Sequence, residues 1–294
     1  MLSILIPTYN DDVSELTRAL IQQGKTLQLS FEIICWDDCS SDSVTSQNNK
    51  ALCAEFDNYS YYRSTTNLGD TQTRTSLALK AKYDSLLFVD SDVLPGSETF
   101  LKKYVALIAS QYPVIFGGCQ YTDHHDNQAT MLRWTFGHSR ESQTAESRNQ
   151  KPYHYIFSSN FLTDKSTFLG IKFPEKNIYG MDSFFSYQLY QKAIPVLHID
   201  NPILHLGLDK NEIFFQKSLE AVKLRKNMFP ELPGIENINS LLKNYNRLKR
   251  LHLDSIVGLF FNLSEPVLRK MILGKNRSLF CLDLYRLGYI CVLK

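Results

Sequence analysis

Two aspartates separated by one serine follow a short apolar run in the first third of the chain. The run is Ser85–Val89 and the triplet is Asp90-Ser91-Asp92. Carboxylate oxygens are the ligands that hard divalent cations prefer, and a cation held in this way can neutralise a diphosphate. Taken alone, such a triplet is more often an exposed turn than a metal site. The rest of the sequence must therefore distinguish these two interpretations.

Four further segments carry polar or flexible residues near the predicted ends of strands and helices. The aspartate triplet and the first two of these segments each follow a predicted strand, and ligands of open α/β sheets bind beyond the carboxyl ends of the strands. The four segments are Pro7-Thr8-Tyr9-Asn10, Asp37-Asp38-Cys39-Ser40, Asn67-Leu68-Gly69 with Arg74 downstream, and Gly180-Met181-Asp182.

Short apolar runs alternate with amphipathic stretches through the first 120 residues. This alternation predicts parallel strands joined by right-handed helical crossovers. The stretch from Gln120 to Lys151 is polar and has few periodic apolar positions, so we expect a loop or a flexible insertion there. Strands are predicted at Leu2–Ile6, Phe31–Trp36, Tyr59–Arg63, Leu86–Val89, Pro195–Ile199 and Ile203–Leu206, and helices at 12–23, Asp42–Phe56, Thr71–Lys82, from Asp182 and from Asn211 onward.

In this order and at these spacings, the five segments resemble the motifs of bacterial-type family 2 glycosyltransferases, which have the GT-A fold. The resemblance spans roughly residues 1–207. It implies an α/β catalytic domain with a mostly parallel central sheet, and we expect that domain at 1–210 and a helical C-terminal region at 211–294. It also implies an inverting enzyme that moves a sugar from a nucleotide diphosphate donor, usually UDP-linked, to a hydroxyl acceptor with the help of Mn²⁺ or Mg²⁺.

The resemblance implies that one group of residues binds the donor. Asp38 would accept the imide N–H of uracil, with capping of the next helix as the alternative. Arg74 would orient Asp90 or the nucleotide through paired hydrogen bonds, with a solvated surface arginine as the alternative. The donor-binding residues so implied are Pro7, Tyr9, Asn10, Asp38, Asn67, Arg74, Asp90 and Ser91.

The resemblance also assigns the general base and the metal. Asp182 matches the second acid of a Glu-Asp pair and would deprotonate the acceptor hydroxyl, although Met181 replaces the usual Glu and Asp182 can equally cap a helix. Asp92 and His205 would hold the cation. The pair His124-His125 is a weaker rival, because adjacent side chains point apart on an extended chain.

The amino-acid composition is that of an ordinary globular protein, but the net charge differs between residues 1–240 and residues 241–294. Hydrophobic residues make up 44% and charged residues 21%, which excludes a largely disordered chain. The formal charge of +2 combines about −5 in residues 1–240 with +7 in residues 241–294, where ten Lys or Arg stand against three acids. The body is therefore acidic and the tail is basic.

Basic residues in the tail alternate with apolar runs such as Ile256–Phe261 and Val267–Leu273. This composition is typical of helices that lie on an anionic membrane surface, where lipid-linked acceptors occur. A helical subdomain with a solvated basic face is the open alternative. No nucleic-acid-binding motif accompanies the charge. With no signal peptide and no run of about 18 apolar residues, we expect a cytoplasmic protein, peripheral at the inner membrane face if the tail binds lipid.

Two departures from the family pattern keep other functions open. Cys39 stands where the family usually has Gly, and Thr75 where Asn often follows the arginine. Together with Met181 they leave room for a non-catalytic relative that binds a nucleotide or a partner. A nucleotidyltransferase is a second alternative, but it would normally have a Gly-rich basic loop after the first strand, where this chain has Pro7–Asp12.

Overall fold

The computed structural model describes residues 1–174, 180, 182–229, 232–275 and 277–293. These residues form two compact units. The first unit comprises 1–121, 141 up to the undescribed stretch at 175–179, and 188–207. The second comprises 122–140, the described residues of 178–187, and the described residues from 208 onward.

The first unit begins with strands that alternate with helices, as the sequence predicts. Strands β1, β2, β3 and β4 are mutually parallel and lie in the spatial order β3-β2-β1-β4, so the chain reverses its direction of winding at β1. Residues Ile4 and Leu87 pair across β1 and β4 and are fully buried. The elements are β1 (Leu2–Thr8), α1 (Ser14–Thr26), β2 (Phe31–Asp37), α2 (Ser43–Glu55), β3 (Tyr59–Arg63), α3 (Asp70–Lys80) and β4 (Ser85–Val89).

The chain continues with shorter elements that widen the sheet. They are β5 (Val93–Pro95), α4 (Phe100–Val105), β6 (Val114–Phe116), β7 (Cys119–Gln120), α5 (Met131–Phe136), a π-helical turn at Gly137–Glu141, α6 (Ala145–Asn149), β8 (Asn160–Asp164), α7 (Lys165–Leu169), α8 (Asp182–Gln191), β9 (Val196–His198) and β10 (Ile203–His205). Within the described residues the large sheet has the order β3-β2-β1-β4-β8-β6-β9, and β5, β10 and β7 form a small one. Strand β8 is antiparallel to both of its neighbours. The predicted α/β fold with a mostly parallel sheet is therefore confirmed.

The prediction of a loop or flexible insertion at 120–151 is wrong, because this stretch contains α5, the π-helical turn and α6. In the second unit, Leu132 of α5 is fully buried and Phe136 packs on Phe214 with 5.2 Å between ring centroids. In the first unit, the side chain of Arg148 on α6 is 1% exposed. Hydrophobic periodicity does not detect α5 and α6, because each is no longer than six residues. In α6 the most buried large side chain is also an arginine, which such a pattern counts as polar.

Helices dominate the second unit, as predicted from Asn211 onward. They are α9 (Asn211–Met228), a 3-10 turn at Ile235–Asn237, α10 (Ser240–Arg250), α11 (Asp254–Leu273) and α12 (Leu279–Val292). Phe261 of α11 stands edge-on to Tyr285 of α12, with 4.9 Å between ring centroids. Because Leu132 and Phe136 of α5 pack in the same apolar cluster, the second unit takes in residues that lie before the predicted boundary at 210.

None of the helices in the described part of the chain combines the length and apolar character needed to cross a membrane.

Candidate active site

The carboxyl ends of β1 and β2 bring two of the predicted segments together. Thr8 pairs with Asp37 in the parallel register, and the backbone N–H of Asp38 donates to the carbonyl of Thr8 at 2.9 Å. One step further, the N–H of Asn10 donates to the hydroxyl of Ser40 at 2.8 Å. The loops after the two strands therefore leave the sheet edge side by side and are tied to each other.

Two more residues of the first segment lie on either side of this edge. Pro7 is inside β1, where it pairs with Trp36 of β2. The side chain of Tyr9 is 49% exposed just beyond the strand. An exposed aromatic ring at the end of a central strand is accessible to a ligand, whereas Pro7 lies within the strand.

Asp38 holds the loop that precedes α3. Its side chain is buried, and its two carboxylate oxygens accept the backbone N–H groups of Leu68 and Gly69, each at 2.7 Å. The amide of Asn67 donates to the carbonyl of Asp38 at 3.1 Å. The cap of α2 is Asp42, whose side chain accepts from the first turn of that helix. The capping alternative for Asp38 therefore does not hold.

Asp37, which the sequence reasoning did not single out, is the buried anchor of this edge. Its carboxylate accepts hydrogen bonds from the backbone N–H of Ser40 and the hydroxyls of Ser46 and Tyr61. Burial acts to raise the pKa of Asp37, but the hydrogen bonds from these groups outweigh it and lower the pKa. The carboxylate therefore stays charged and fixes the loop after β2. An acid as the last residue of a buried strand is the sequence signal for it.

Arg74 joins α3 to the aspartate triplet. The arginine is buried, and its guanidinium forms ion pairs with Asp90 at the end of β4 and with Asp70 one turn earlier on α3. A solvated surface arginine is therefore excluded. Since Arg74 holds a fixed positive charge against Asp90, the orientation of that carboxylate is set before any ligand arrives.

Asp92 and His205 are brought together by the small sheet. Strand β10 pairs with β5 so that His205 lies opposite Val93, and the carbonyl of Asp92 accepts the N–H of Leu206 at 2.9 Å. The distance from Nε2 of His205 to Oδ2 of Asp92 is 3.8 Å. Tyr121 stacks on the imidazole ring at 5.4 Å between centroids. The imidazole is therefore held between a ring and a carboxylate.

The separation of Asp92 and His205 is compatible with a shared divalent cation. Two ligands that each lie about 2.1 Å from one ion are separated by up to roughly 4.2 Å, so a separation of 3.8 Å is compatible with a shared ion. One imidazole nitrogen and one carboxylate oxygen are ordinary ligands for such an ion. Among the described residues no group of three or more His, Cys, Asp or Glu could hold a metal, so substrate oxygens or water would complete the coordination.

A pocket of about 280 Å³ opens beside this pair. It is lined by Asp11, Asp12, Ser91, Asp92 and Gly207, among others. The hydroxyl of Ser91 donates to Oδ2 of Asp11 at 2.7 Å, so the triplet is tied to the loop after β1. Burial raises the pKa of Asp11; the Ser91 hydrogen bond opposes the shift, and the nearby charge of Asp90 adds to it. The pocket wall therefore carries the carboxyl groups of Asp11, Asp12 and Asp92.

Asp182 belongs to the second unit, where it is the first residue of α8. The turn before it is made by Gly180, whose φ is +97°, and the carbonyl of Gly180 accepts the N–H of Ser183 at 3.1 Å. Asp182 thus lies in the first turn of the helix, where a negative side chain is stabilised by the helix dipole. Met181 lies outside the described residues.

The rival histidine pair has other contacts in the second unit. His125 lies 2.7 Å from the hydroxyl of Thr130 through Nε2, and its ring stacks on Trp134 at 6.0 Å between centroids. His124 is exposed. These contacts hold His125 as part of the local packing around α5.

The structure thus gathers most of the predicted site residues within the first unit. Asn10 contacts the loop after Asp38, Asp38 contacts the segment from Asn67 to Gly69, Arg74 contacts Asp90, and Asp92 lies beside His205. Asp11 and Asp37 were missed, although each is adjacent to a residue that the sequence did indicate.

A family model described as "Glycosyl transferase family 2" matches residues 3–169, more than half of the chain. The match includes the site residues described above from Pro7 to Asp92 and ends before Asp182 and His205.

Two curated relatives match shorter stretches. A poly(ribitol-phosphate) beta-glucosyltransferase of Bacillus spizizenii is 37% identical over 109 residues, which are 35% of this chain and 16% of the relative. An uncharacterized glycosyltransferase of Haemophilus influenzae is 35% identical over 94 residues, 31% of this chain and 29% of the relative. The matched stretch therefore spans less than a third of either relative.

Solved structures match over most of the chain, at identities that show the fold alone. The mannosyltransferase PcManGT from Pyrobaculum calidifontis, in complex with GDP-Man and Mn²⁺, has a TM-score of 0.64 at 12% identity, covering 99% of this chain and 86% of that one. S. aureus TarS 1-349 in complex with UDP has a TM-score of 0.52 at 19% identity, covering 98% and 90%. Glucosyl-3-phosphoglycerate synthase from Mycobacterium tuberculosis, in complex with Mn²⁺, UDP and glucosyl-3-phosphoglycerate, has a TM-score of 0.52 at 13% identity, covering 76% and 78%. The fold is GT-A.

Proposed function

Because the chain belongs to glycosyl transferase family 2, we propose that it transfers a sugar from a UDP-sugar to a hydroxyl group of a saccharide or lipid-linked acceptor. We place this activity in the cytoplasm, in the synthesis of a bacterial polysaccharide or glycolipid. The observation that carries the proposal is the gathering of Asp38, Arg74–Asp90 and Asp92–His205 at one edge of a GT-A sheet. The relative in Bacillus spizizenii, a glucosyltransferase acting on poly(ribitol-phosphate), supports the same class of reaction.

Asp38 is proposed to read the base of the donor. Each of its carboxylate oxygens accepts one backbone N–H, from Leu68 or Gly69, and a carboxylate oxygen has two lone pairs. One acceptor position therefore stays available on each oxygen for the imide N–H of uracil. Tyr9, half-exposed at the end of β1, is proposed to contact the base or the ribose, with Pro7 and Asn10 shaping that wall.

Asp92 and His205 are the proposed ligands of Mn²⁺ or Mg²⁺. When bound, the cation would supply positive charge to the leaving diphosphate. The spacing of the two side chains fits this assignment, and two of the solved GT-A structures contain Mn²⁺. On the protein side, Asp90 is held by Arg74 and Ser91 by Asp11, so the triplet keeps its shape when the donor binds.

Asp182 is the proposed general base. In a single displacement, its carboxylate would accept the proton of the acceptor hydroxyl while that oxygen attacks the anomeric carbon, and the configuration there would invert. Its carboxylate lies in the first turn of α8 and is only partly buried, so the acceptor hydroxyl can reach it. On the donor side, Asn67 would help to bind the donor by keeping the loop before α3 against Asp38.

The experiment is a donor screen with the full-length protein. UDP-glucose, UDP-N-acetylglucosamine and GDP-mannose are incubated with Mn²⁺, with and without candidate acceptors, and the released nucleotide diphosphate is quantified. We expect release from a UDP-sugar, and loss of at least about a hundredfold of it in the Asp182→Asn variant. Asp57→Asn, at an exposed position remote in sequence from the motifs, is the matched control.

Two outcomes would contradict the proposal. Calorimetric binding of UDP with no turnover of any donor would indicate a non-catalytic binding protein. Full transfer by Asp182→Asn would remove that residue from the base role but leave the donor site standing.

A further inference from the structure

Helix α11 exposes large apolar side chains on one face. They recur at intervals of three and four residues, which places them along a single side of the helix. We call them the α11 stripe, and its members are Ile256 (51% exposed), Leu259 (63%), Phe260 (65%), Leu263 (74%) and Val267 (61%).

The opposite face of α11 is the one that packs in the second unit. Phe261 is buried against Tyr285 and lies so close to Gly288 that a side chain there would collide with it. Glu265 accepts the Tyr285 hydroxyl at 2.7 Å on the same side. Since α11 already has a packed face, the α11 stripe is a second apolar surface that the fold of this unit does not need.

Positive charge flanks the α11 stripe at both ends. Lys249 and Arg250 precede it in the last turn of α10, and Lys270 and Lys275 follow it, all with exposed side chains. The two acids of residues 240–275 are Asp254 and Glu265. Glu265 is turned toward α12, as its bond to Tyr285 shows, so the stripe has a predominantly basic rim.

We propose that the α11 stripe inserts into the interface of an anionic lipid bilayer, with the flanking lysines and arginine on the headgroups. Interfacial helices bury an apolar face by about 5–10 Å and gain affinity from basic residues beside it. From Ile256 to Val267 the stripe is about 17 Å long at the rise of an α-helix, long enough for a continuous contact. The inference goes beyond the proposed sugar transfer and does not rest on it.

Charge complementarity favours a bilayer over a second copy of the chain. Two α11 stripes packed together would bring the same basic rims toward each other. Residues 240–275 contain two acids, of which Glu265 is bonded to Tyr285, and Glu212 is already paired with Arg269. An anionic lipid surface neutralises those charges and accepts the apolar side chains at once. A bilayer therefore matches both properties of the surface.

The test measures binding of the full-length protein to vesicles. Vesicles of phosphatidylcholine with about 30% phosphatidylglycerol are compared with pure phosphatidylcholine by co-flotation. We expect binding to the anionic vesicles, a fall of at least about tenfold in the partition coefficient for Phe260→Ser/Leu263→Ser, and no change for Val44→Ser/Leu79→Ser. The control pair is similarly exposed, at 65% and 64%, but lies in the first unit.

A second variant separates the charge from the apolar contact. Lys249→Gln/Arg250→Gln should lower the partition coefficient by roughly 25-fold at low salt, because each basic residue near an anionic surface contributes about fivefold. The difference from the unaltered protein should shrink between about 50 and 500 mM salt. Circular dichroism establishes that each variant is folded.

Three results would overturn the proposal: no binding to anionic vesicles, equal binding by the stripe variant, or a stripe variant that changes only the association state in sedimentation equilibrium. The last result would assign the stripe to a second copy of the chain. None of these results depends on donor turnover, so the vesicle assay and the donor screen fail independently.

Discussion

The guanidinium of Arg74 is almost wholly buried against the carboxylate of Asp90, which is itself about a quarter exposed. The pair links α3 to the end of β4, and the exposed side of Asp90 is the side that a ligand can reach. A second carboxylate, Asp70, holds the same guanidinium from one turn earlier on α3. We therefore expect the arginine to act as a positioning residue for the aspartate triplet.

Replacing Arg74 by lysine tests this role, because lysine keeps the charge but lacks the planar fork that serves two carboxylates at once. We expect the KM for the sugar donor to rise by about tenfold, while the melting temperature falls by only a few degrees. Arg18→Lys, whose ion pair with Glu55 is exposed, should change neither quantity. An Arg74→Lys variant with the original donor KM would contradict the positioning role.

Cys39 adopts a left-handed backbone conformation, with φ of +64°, in the loop after β2. The left-handed region costs a residue with a Cβ roughly 1–2 kcal/mol, and it costs glycine nothing. Glycine also raises the entropy of the unfolded chain, which offsets part of this gain. We therefore expect Cys39→Gly to raise the free energy of unfolding by about 0.5–1 kcal/mol. Urea denaturation measures the change. Cys53→Gly, within α2, is the matched control and should destabilise by about 1 kcal/mol. Equal effects of the two glycines would refute the strain at Cys39.

Cys39 and Arg148 show what the sequence can and cannot predict: it locates the loops at the strand ends, but not the buried contacts around them. The family resemblance located the loops after β1, β2 and β4, because each begins where an apolar run ends. It also marked Cys39 as a departure from glycine, and the positive φ now gives the physical reason for glycine there. No local pattern could reveal that Arg148 is buried, since its partners are backbone carbonyls of Phe116, Gly117 and Ile199, distant in sequence.

Gly207 has no room for a side chain beside Asp92. A Cβ at this position would lie 1.9 Å from Oδ2 of Asp92, so the carboxylate must move. We expect Gly207→Ala to weaken Mn²⁺ binding in the presence of UDP by about ten- to a hundredfold, with little loss of stability because Asp92 is partly exposed. Calorimetric titration of Mn²⁺ measures this. Gly170→Ala, where the nearest atom to the new Cβ is a carbonyl oxygen at 3.0 Å, is the control and should bind Mn²⁺ as before.

We expect His198 to make the stability of the first unit depend on pH. It is buried, accepts a hydrogen bond from Arg148 at Nδ1, and therefore donates from Nε2 to the carbonyl of Pro152 at 2.8 Å. Burial lowers its pKa to about 4; the bond to Pro152 opposes the shift, and the charge of Arg148 adds to it. Between about pH 6.5 and 4 the unfolded chain thus binds a proton at this residue that the folded chain does not.

Stability should consequently fall as the pH drops through this window, by roughly 2 kcal/mol at pH 5 relative to pH 7.5 from this group alone. Urea denaturation at both pH values measures the difference. Glutamine can replace both hydrogen bonds of His198 but does not titrate, so this part of the pH dependence should vanish in His198→Gln. The control is His252→Gln, at an exposed position, which should keep the pH dependence of the unaltered protein. If His198→Gln loses as much stability between the two pH values as the unaltered protein, the neutral buried imidazole is not its source.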